Sequence, residues 1–143
     1  MRIWFEVKAK YLKMLETGAE KIVNEVYLIE AVSFTDAEAK ATKELEKFMI
    51  GEFEISAVGK KRFSDCFFTF KGDIYYKVRL YFITLDERSG KKKKLATNML
   101  VQASNLEEAV TIVMEEMEKS IIDYSVESVT ETAIIDVFMD KEE

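Results

Sequence analysis

The sequence contains no histidine and no proline, one cysteine and five glycines in 143 residues. Without histidine it lacks the usual general base near neutral pH, the usual activator of a nucleophile and the commonest transition-metal ligand. So few glycines leave no Gly-rich phosphate loop and neither a Walker nor a dinucleotide fingerprint. Cys66 alone can neither close an intramolecular disulfide nor supply a metal framework. No apolar run approaches the ~20 residues of a membrane-spanning helix. Met1-Arg2-Ile3-Trp4-Phe5 passes directly into an alternating pattern, with no room for a signal peptide. These absences set the first expectations: no enzyme, no catalytic residues, no cofactor, no metal, no membrane, and a cytoplasmic location in a cell or an infected host.

What is present is a soluble composition, 48% hydrophobic and 34% charged, with a net charge of −6. That charge opposes nucleic-acid binding over the whole surface but leaves room for a local basic face. The strongest internal signal is repetition. Ile74-Tyr75-Tyr76-Lys77-Val78-Arg79 echoes Ile3-Trp4-Phe5-Glu6-Val7-Lys8 at a spacing of 71, and Met99-Leu100-Val101-Gln102-Ala103 echoes Tyr27-Leu28-Ile29-Glu30-Ala31 at 72. Asn105-x-x-Glu108-Ala109 aligns with Thr35-x-x-Glu38-Ala39 at 70, and Asp136-x-Phe138 with Asp65-x-Phe67 at 71. Loops absorb such one-residue drifts. A tandem duplication follows, with repeats at 1–72 and 73–143 inside a single domain over 1–143.

Each repeat reads the same way. Ile3, Phe5, Val7, Ala9 and Tyr11 alternate with Glu6, Lys8 and Lys10, the period of a half-buried strand. A Gly-containing loop at 16–19 returns the chain as a second strand from Ile22 to Val32, an antiparallel hairpin. Thr35 with Glu38 reads as a capping box, and Ala37, Ala41, Leu45, Phe48 and Met49 as the apolar stripe of a helix ending near Gly51. Phe53 to Ala57 and Phe63 to Phe70 supply two further strands. The second copy runs through strands Ile74 to Leu85 and Leu95 to Ala103. A helix capped by Asn105 follows, with Leu106, Ala109, Val113, Met117 and Ile121 inward, and then closing strands to Phe138. Asp140-Lys141-Glu142-Glu143 reads as a frayed charged end. The expected class is α+β: two tandem ββαβ-type repeats of about 70 residues, antiparallel sheet with two packed helices, related by a pseudo-twofold.

From Phe53 onward the order strand, strand, strand, strand, helix resembles, as topology, the PUR repeat and the Whirly-type single-strand binders. At sequence level, Trp4-Phe5-Glu6, Ser33-Phe34-Thr35-Asp36-Ala37-Glu38-Ala39, Phe82-Ile83-Thr84-Leu85-Asp86-Glu87 and Thr97-Asn98-Met99-Leu100-Val101-Gln102-Ala103 together resemble an uncharacterised domain-of-unknown-function family of gut bacteria and their phages. That resemblance covers nearly the whole chain and brings no catalytic or binding residues with it.

The candidate site is the face of the two long strands turned away from the apolar stripes: Trp4, Lys8 and Lys10 in the first copy, Tyr75, Lys77, Arg79 and Tyr81 in the second. Rings stack on bases and cations meet phosphates, so such a face suits single-stranded nucleic acid. Lys60-Lys61-Arg62 and Lys91-Lys92-Lys93-Lys94 extend it, or serve as edge lysines against aggregation. The competing account is a face covered by a partner or stabilised by cross-strand pairs, which Glu6 and the acidic total favour. This gives three functional expectations. They are a non-enzymatic single-stranded nucleic-acid binder, a protein-interaction or assembly module of phage or bacterial accessory type, and a small-ligand-binding homo-oligomer. Sheet edges favour a homodimer. Asp65 and Asp136, at equivalent positions, are candidates for a carboxylate pair, against the commoner role of turn-stabilising side chains. Cys66 reads as a small packing residue.

Overall fold

Alternating β-branched and aromatic residues without proline favour long strands, and the computed structural model, which describes residues 2–140, contains four of nine residues or more in addition to two twelve-residue ones. In chain order the elements are β1 (Trp4–Met14), β2 (Glu20–Glu30), α1 (Phe34–Glu46), β3 (Phe53–Lys61), β4 (Asp65–Phe67), β5 (Ile74–Leu85), β6 (Lys92–Ala103), α2 (Leu106–Glu118), β7 (Asp123–Glu131) and β8 (Ile134–Phe138). The fold is α+β, with two helices and two four-stranded sheets built from two repeated ββαβ-like units. Lys141, Glu142 and Glu143 of the charged end lie outside the described residues.

The sheet orders are β3-β1-β2-β8 and β4-β6-β5-β7. Three strands of each are antiparallel, as expected from the hairpins; the fourth is parallel to its neighbour. That fourth strand comes from the other repeat. β4, at the end of the first repeat, pairs with β6 through Asp65↔Met99, Cys66↔Leu100 and Phe67↔Val101. β8, at the end of the second, pairs with β2 through Tyr27↔Asp136, Leu28↔Val137 and Ile29↔Phe138. The contacts accordingly divide the chain into one compact unit of Met1–Arg62 with Ala133–Glu143 and another of Phe63–Thr132.

In the first unit Phe5, Val7, Ala9, Tyr27, Ile29 and Ala31 are buried with Ala37, Ala41 and Leu45 of α1. In the second, Tyr76, Val78, Leu80, Met99, Val101 and Ala103 are buried with Ala109, Val113 and Met117 of α2. Position by position these sets correspond at spacings of 71 on the first strand and 72 on the second strand and helix. The hairpin loop at 86–91 is one residue longer than that at 15–19. Even the irregularities repeat. The register of β1 on β3 shifts between Lys8 and Ala9, and that of β5 on β7 between Arg79 and Leu80. These are β-bulges on the long edge strands, devices that discourage further strand addition.

The helix ends correct several expectations. Ser33, not Thr35, caps α1: its extended backbone (φ −157°) precedes Phe34, its hydroxyl accepts from the Asp36 amide at 3.1 Å, and the Asp36 carboxylate accepts from the Val32 amide at 3.0 Å. Thr35 lies inside the first turn. Asn105 caps α2 as expected, accepting from the Glu108 amide at 2.8 Å, while Glu108 accepts from the Ser104 amide at 3.2 Å. Ser33 and Asn105 are thus the equivalent residues. α1 stops at Glu46, short of Gly51, and α2 at Glu118, so Phe48 and Ile121, expected inward, lie beyond the helices and are exposed. Leu106, also expected inward, is exposed at the start of α2. Ser33→Ala and Asn105→Ala should each cost about 0.5–2 kcal/mol in urea denaturation, the usual loss for a helix cap, with Thr35→Ala close to neutral. Equal losses at Thr35 and Ser33 would contradict this assignment.

Candidate nucleic-acid interface

Alternation along β1 and β5 turns Trp4, Lys8, Lys10, Tyr75, Lys77, Arg79 and Tyr81 away from the helices, but burial separates them. Trp4 and Tyr75 are only 3% and 5% exposed. Neither offers a ring face to a base, and the stacking role expected for them does not survive. Lys8 and Lys77 are exposed; Lys10, Arg79 and Tyr81 are half-buried.

In the first unit this face is electrically mixed. Glu6 stands between Trp4 and Lys8, with the Lys61 ammonium 4.0 Å from its carboxylate. In the second unit Lys77 occupies the place equivalent to Glu6, and the cations converge on one ring. The Arg79 guanidinium lies 5.8 Å from the Tyr81 ring centroid and the Lys94 ammonium 5.7 Å from it. The antiparallel register brings Lys94 there, since Ile83↔Lys94 and Tyr81↔Ala96 are paired neighbours. Lys92 continues the same face one pleat further along β6, whereas Lys93, on the opposite face, approaches Asp86 at 3.6 Å.

Glu127 is the extra residue of the bulge in β7, between the partners of Arg79 and Leu80. Its carboxylate meets Arg79 Nε at 2.6 Å. Hydrogen bonding to Tyr81, and then to Glu127, pushes the Arg79 pKa above its already high ordinary value, so this cation keeps its charge at any working pH. Asn98, paired with Arg79 across β5 and β6, has a buried side-chain oxygen with no hydrogen-bond partner. The sequence placed Lys94 only within the run Lys91–Lys94 that extends the face; the pairing of Ile83 with Lys94 separates it and Lys92 from Lys93. Glu127 carried no such signal, because a bulge cannot be read from alternation.

The other candidates contribute less. Asp65 begins β4 in one unit, and Asp136 lies in β8 in the other and accepts from the Val137 amide at 2.8 Å. Among the described residues no group of three or more Cys, Asp or Glu side chains is placed to hold a metal ion. None of the described helices is long and apolar enough to cross a membrane. A family model described as "Domain of unknown function (DUF4494)" matches residues 3–140. No curated protein and no solved structure matches the chain.

Proposed function

We propose a function for a chain that belongs to the DUF4494 family of domains of unknown function: it is a non-enzymatic binding module that holds single-stranded nucleic acid on the outer face of β5 and β6. The observation that carries this reading is the Tyr81 ring with Arg79 and Lys94 at 5.8 and 5.7 Å. Lys77, Arg79, Lys92 and Lys94 supply positive charge to phosphates, and Tyr81 supplies the one stacking surface left after Trp4 and Tyr75 are buried. The sequence has no histidine, so this face lacks the usual general base near neutral pH. A single free cysteine suits a cytoplasmic setting.

Titration of a fluorescent oligothymidine at low salt tests this. The protein should bind it with little sequence preference. Tyr81→Ala should weaken binding by about 1–3 kcal/mol, the range for loss of one base–aromatic stack. Glu127→Gln should tighten it, because the carboxylate now competes with phosphate for Arg79. Absence of binding by the unmodified protein at low salt would reject the reading. The protein-interaction reading would then lead, favoured by the exposed apolar side chains of Leu12, Met14 and Ile22 near the turn of the first hairpin.

A further inference from the structure

The first hairpin outruns its helix. α1 packs on Phe5, Val7, Ala9, Tyr27, Ile29 and Ala31, and the segment after it meets the hairpin nearer its turn. Phe48, Met49 and Ile50 on one side and Tyr11 and Glu25 on the other line a trough of about 420 Å³. Lys13 also lines it, two residues beyond Tyr11 toward the hairpin turn.

Glu25, the one carboxylate that lines this trough, is unusual in its partners. Tyr11 donates its hydroxyl to one oxygen of Glu25 at 2.5 Å and Tyr27 donates to the other at 2.5 Å. No lysine or arginine among the described residues pairs with Glu25, so neutral donors alone stabilise the carboxylate. Each of its oxygens retains accepting capacity. Tyr27 is buried and needs an acceptor for its hydroxyl. Tyr11 is only half-buried, so water could satisfy its hydroxyl, and burial does not demand its bond to Glu25. The phenols of both tyrosines have pKa values raised above the ordinary range, for Tyr11 mainly by the bond to Glu25 and for Tyr27 mainly by burial, so both remain donors near neutrality.

The second repeat provides the internal comparison. The residues equivalent to Tyr11, Glu25 and Tyr27 are Phe82, Thr97 and Met99, and the place of Phe48 is taken by Ser120. The same strand framework forms there without any of the polar trio. The fold therefore does not require it.

We propose that this trough binds an alkylammonium group, with Glu25 as its counter-ion, Tyr11 and Phe48 as aromatic walls, and Met49 and Ile50 against the alkyl stem. A carboxylate with free accepting capacity, beside the aromatic and aliphatic side chains that line the same trough, is complementary to a cation on an apolar chain. Two sources share this chemistry: a free amine, and a lysine side chain presented by a partner protein. The site belongs to the first unit and the Tyr81 face to the second, and its test is independent of nucleic-acid binding.

The experiment is titration of the full-length ¹⁵N-labelled protein with n-butylammonium chloride, using sodium chloride at equal ionic strength as control. Saturable amide shifts are expected around residues 11, 25 and 48–50, with none around 82 and 97. Glu25→Gln should weaken binding at least tenfold. Should that variant fail to fold, Phe48→Ala decides, since Phe48 is 54% exposed and its removal opens no core; weaker binding supports the site and unchanged binding overturns it. A capped lysine tripeptide that binds more tightly than butylammonium assigns the site to a protein partner, and equal binding assigns it to a free amine. Shifts that survive Glu25→Gln, match those with sodium, or appear equally around Phe82 and Thr97 overturn the proposal.

Discussion

A chain ending at Thr132 should lose more than about 4 kcal/mol of stability in the first unit, enough to unfold its sheet under mild denaturant. β8 supplies the fourth strand of that sheet although it belongs to the second repeat. With it go the Phe138 ring, stacked on Tyr27 at 5.6 Å, and Ile134, 5% exposed. Removing a packed Phe or Ile side chain typically costs about 3–5 or 2–5 kcal/mol. The loss also bares the hydrogen-bonding edge of β2 to other chains. Trp4 is the protein's one tryptophan and sits in the first unit, so its fluorescence reports that unit directly. Urea titration should show the tryptophan transition moved to much lower denaturant, with Phe138→Ala giving a part of the same shift. A truncated chain with an unchanged fluorescence midpoint would contradict the exchanged-strand topology.

Gly72→Ala should be the most damaging single methyl in the protein. A Cβ built at Gly72 would lie 2.1 Å from the Ala103 carbonyl carbon, 2.3 Å from its oxygen and 2.4 Å from the Ser104 amide nitrogen. These are backbone atoms at the end of β6, unable to rotate aside as a side chain would. The adjoining turn is also pinned. Gln102, buried at 8% exposure, accepts from the Phe70 amide at 3.0 Å and donates to the Gly72 carbonyl at 2.8 Å. Phe70 holds a left-handed φ of 58° there. Overpacking a core usually costs about 1–3 kcal/mol, and a rigid backbone neighbour places this case at or above the upper end. The expected result is a thermal midpoint lowered by roughly ten degrees. Gly59→Ala is the control, since a Cβ there meets nothing within 4 Å and the backbone is not left-handed. Equal effects of the two substitutions would show that the close approach at Gly72 is unimportant.

Much of this architecture was legible in the residues. Val58 and Val129, at the same repeat spacing of 71, pair in the structure with the equivalent residues Val7 and Val78. The echo of Asp65-x-Phe67 by Asp136-x-Phe138 marked two equivalent strands. What it did not reveal was their partners. A parallel pairing between strands distant in sequence leaves no local trace, and β4 is only three residues long. The cap of α1 was misplaced because Thr35-x-x-Glu38 and Ser33-x-x-Asp36 both satisfy the capping pattern. Only the backbone entry into the helix chooses between them. The same limit applied at the candidate interface. Alternation assigns Trp4 and Tyr75 to a face correctly, yet whether a face is covered depends on tertiary packing. Lys77 in the place of Glu6 was visible in the repeat alignment and marks the second copy as the more basic one.

The most direct test of the functional account is the salt dependence of oligothymidine binding for the unmodified protein and for the Lys77→Ala/Arg79→Ala double variant. Each phosphate contact on a single strand contributes a slope of about 0.7 in log affinity against log salt. If both residues neutralise phosphates on the β5 face, the double variant should bind more weakly at every sequence tested, with a slope shallower by about 1.4. An unchanged slope would contradict the account, because binding would then proceed without the two cations on which the proposed interface is built.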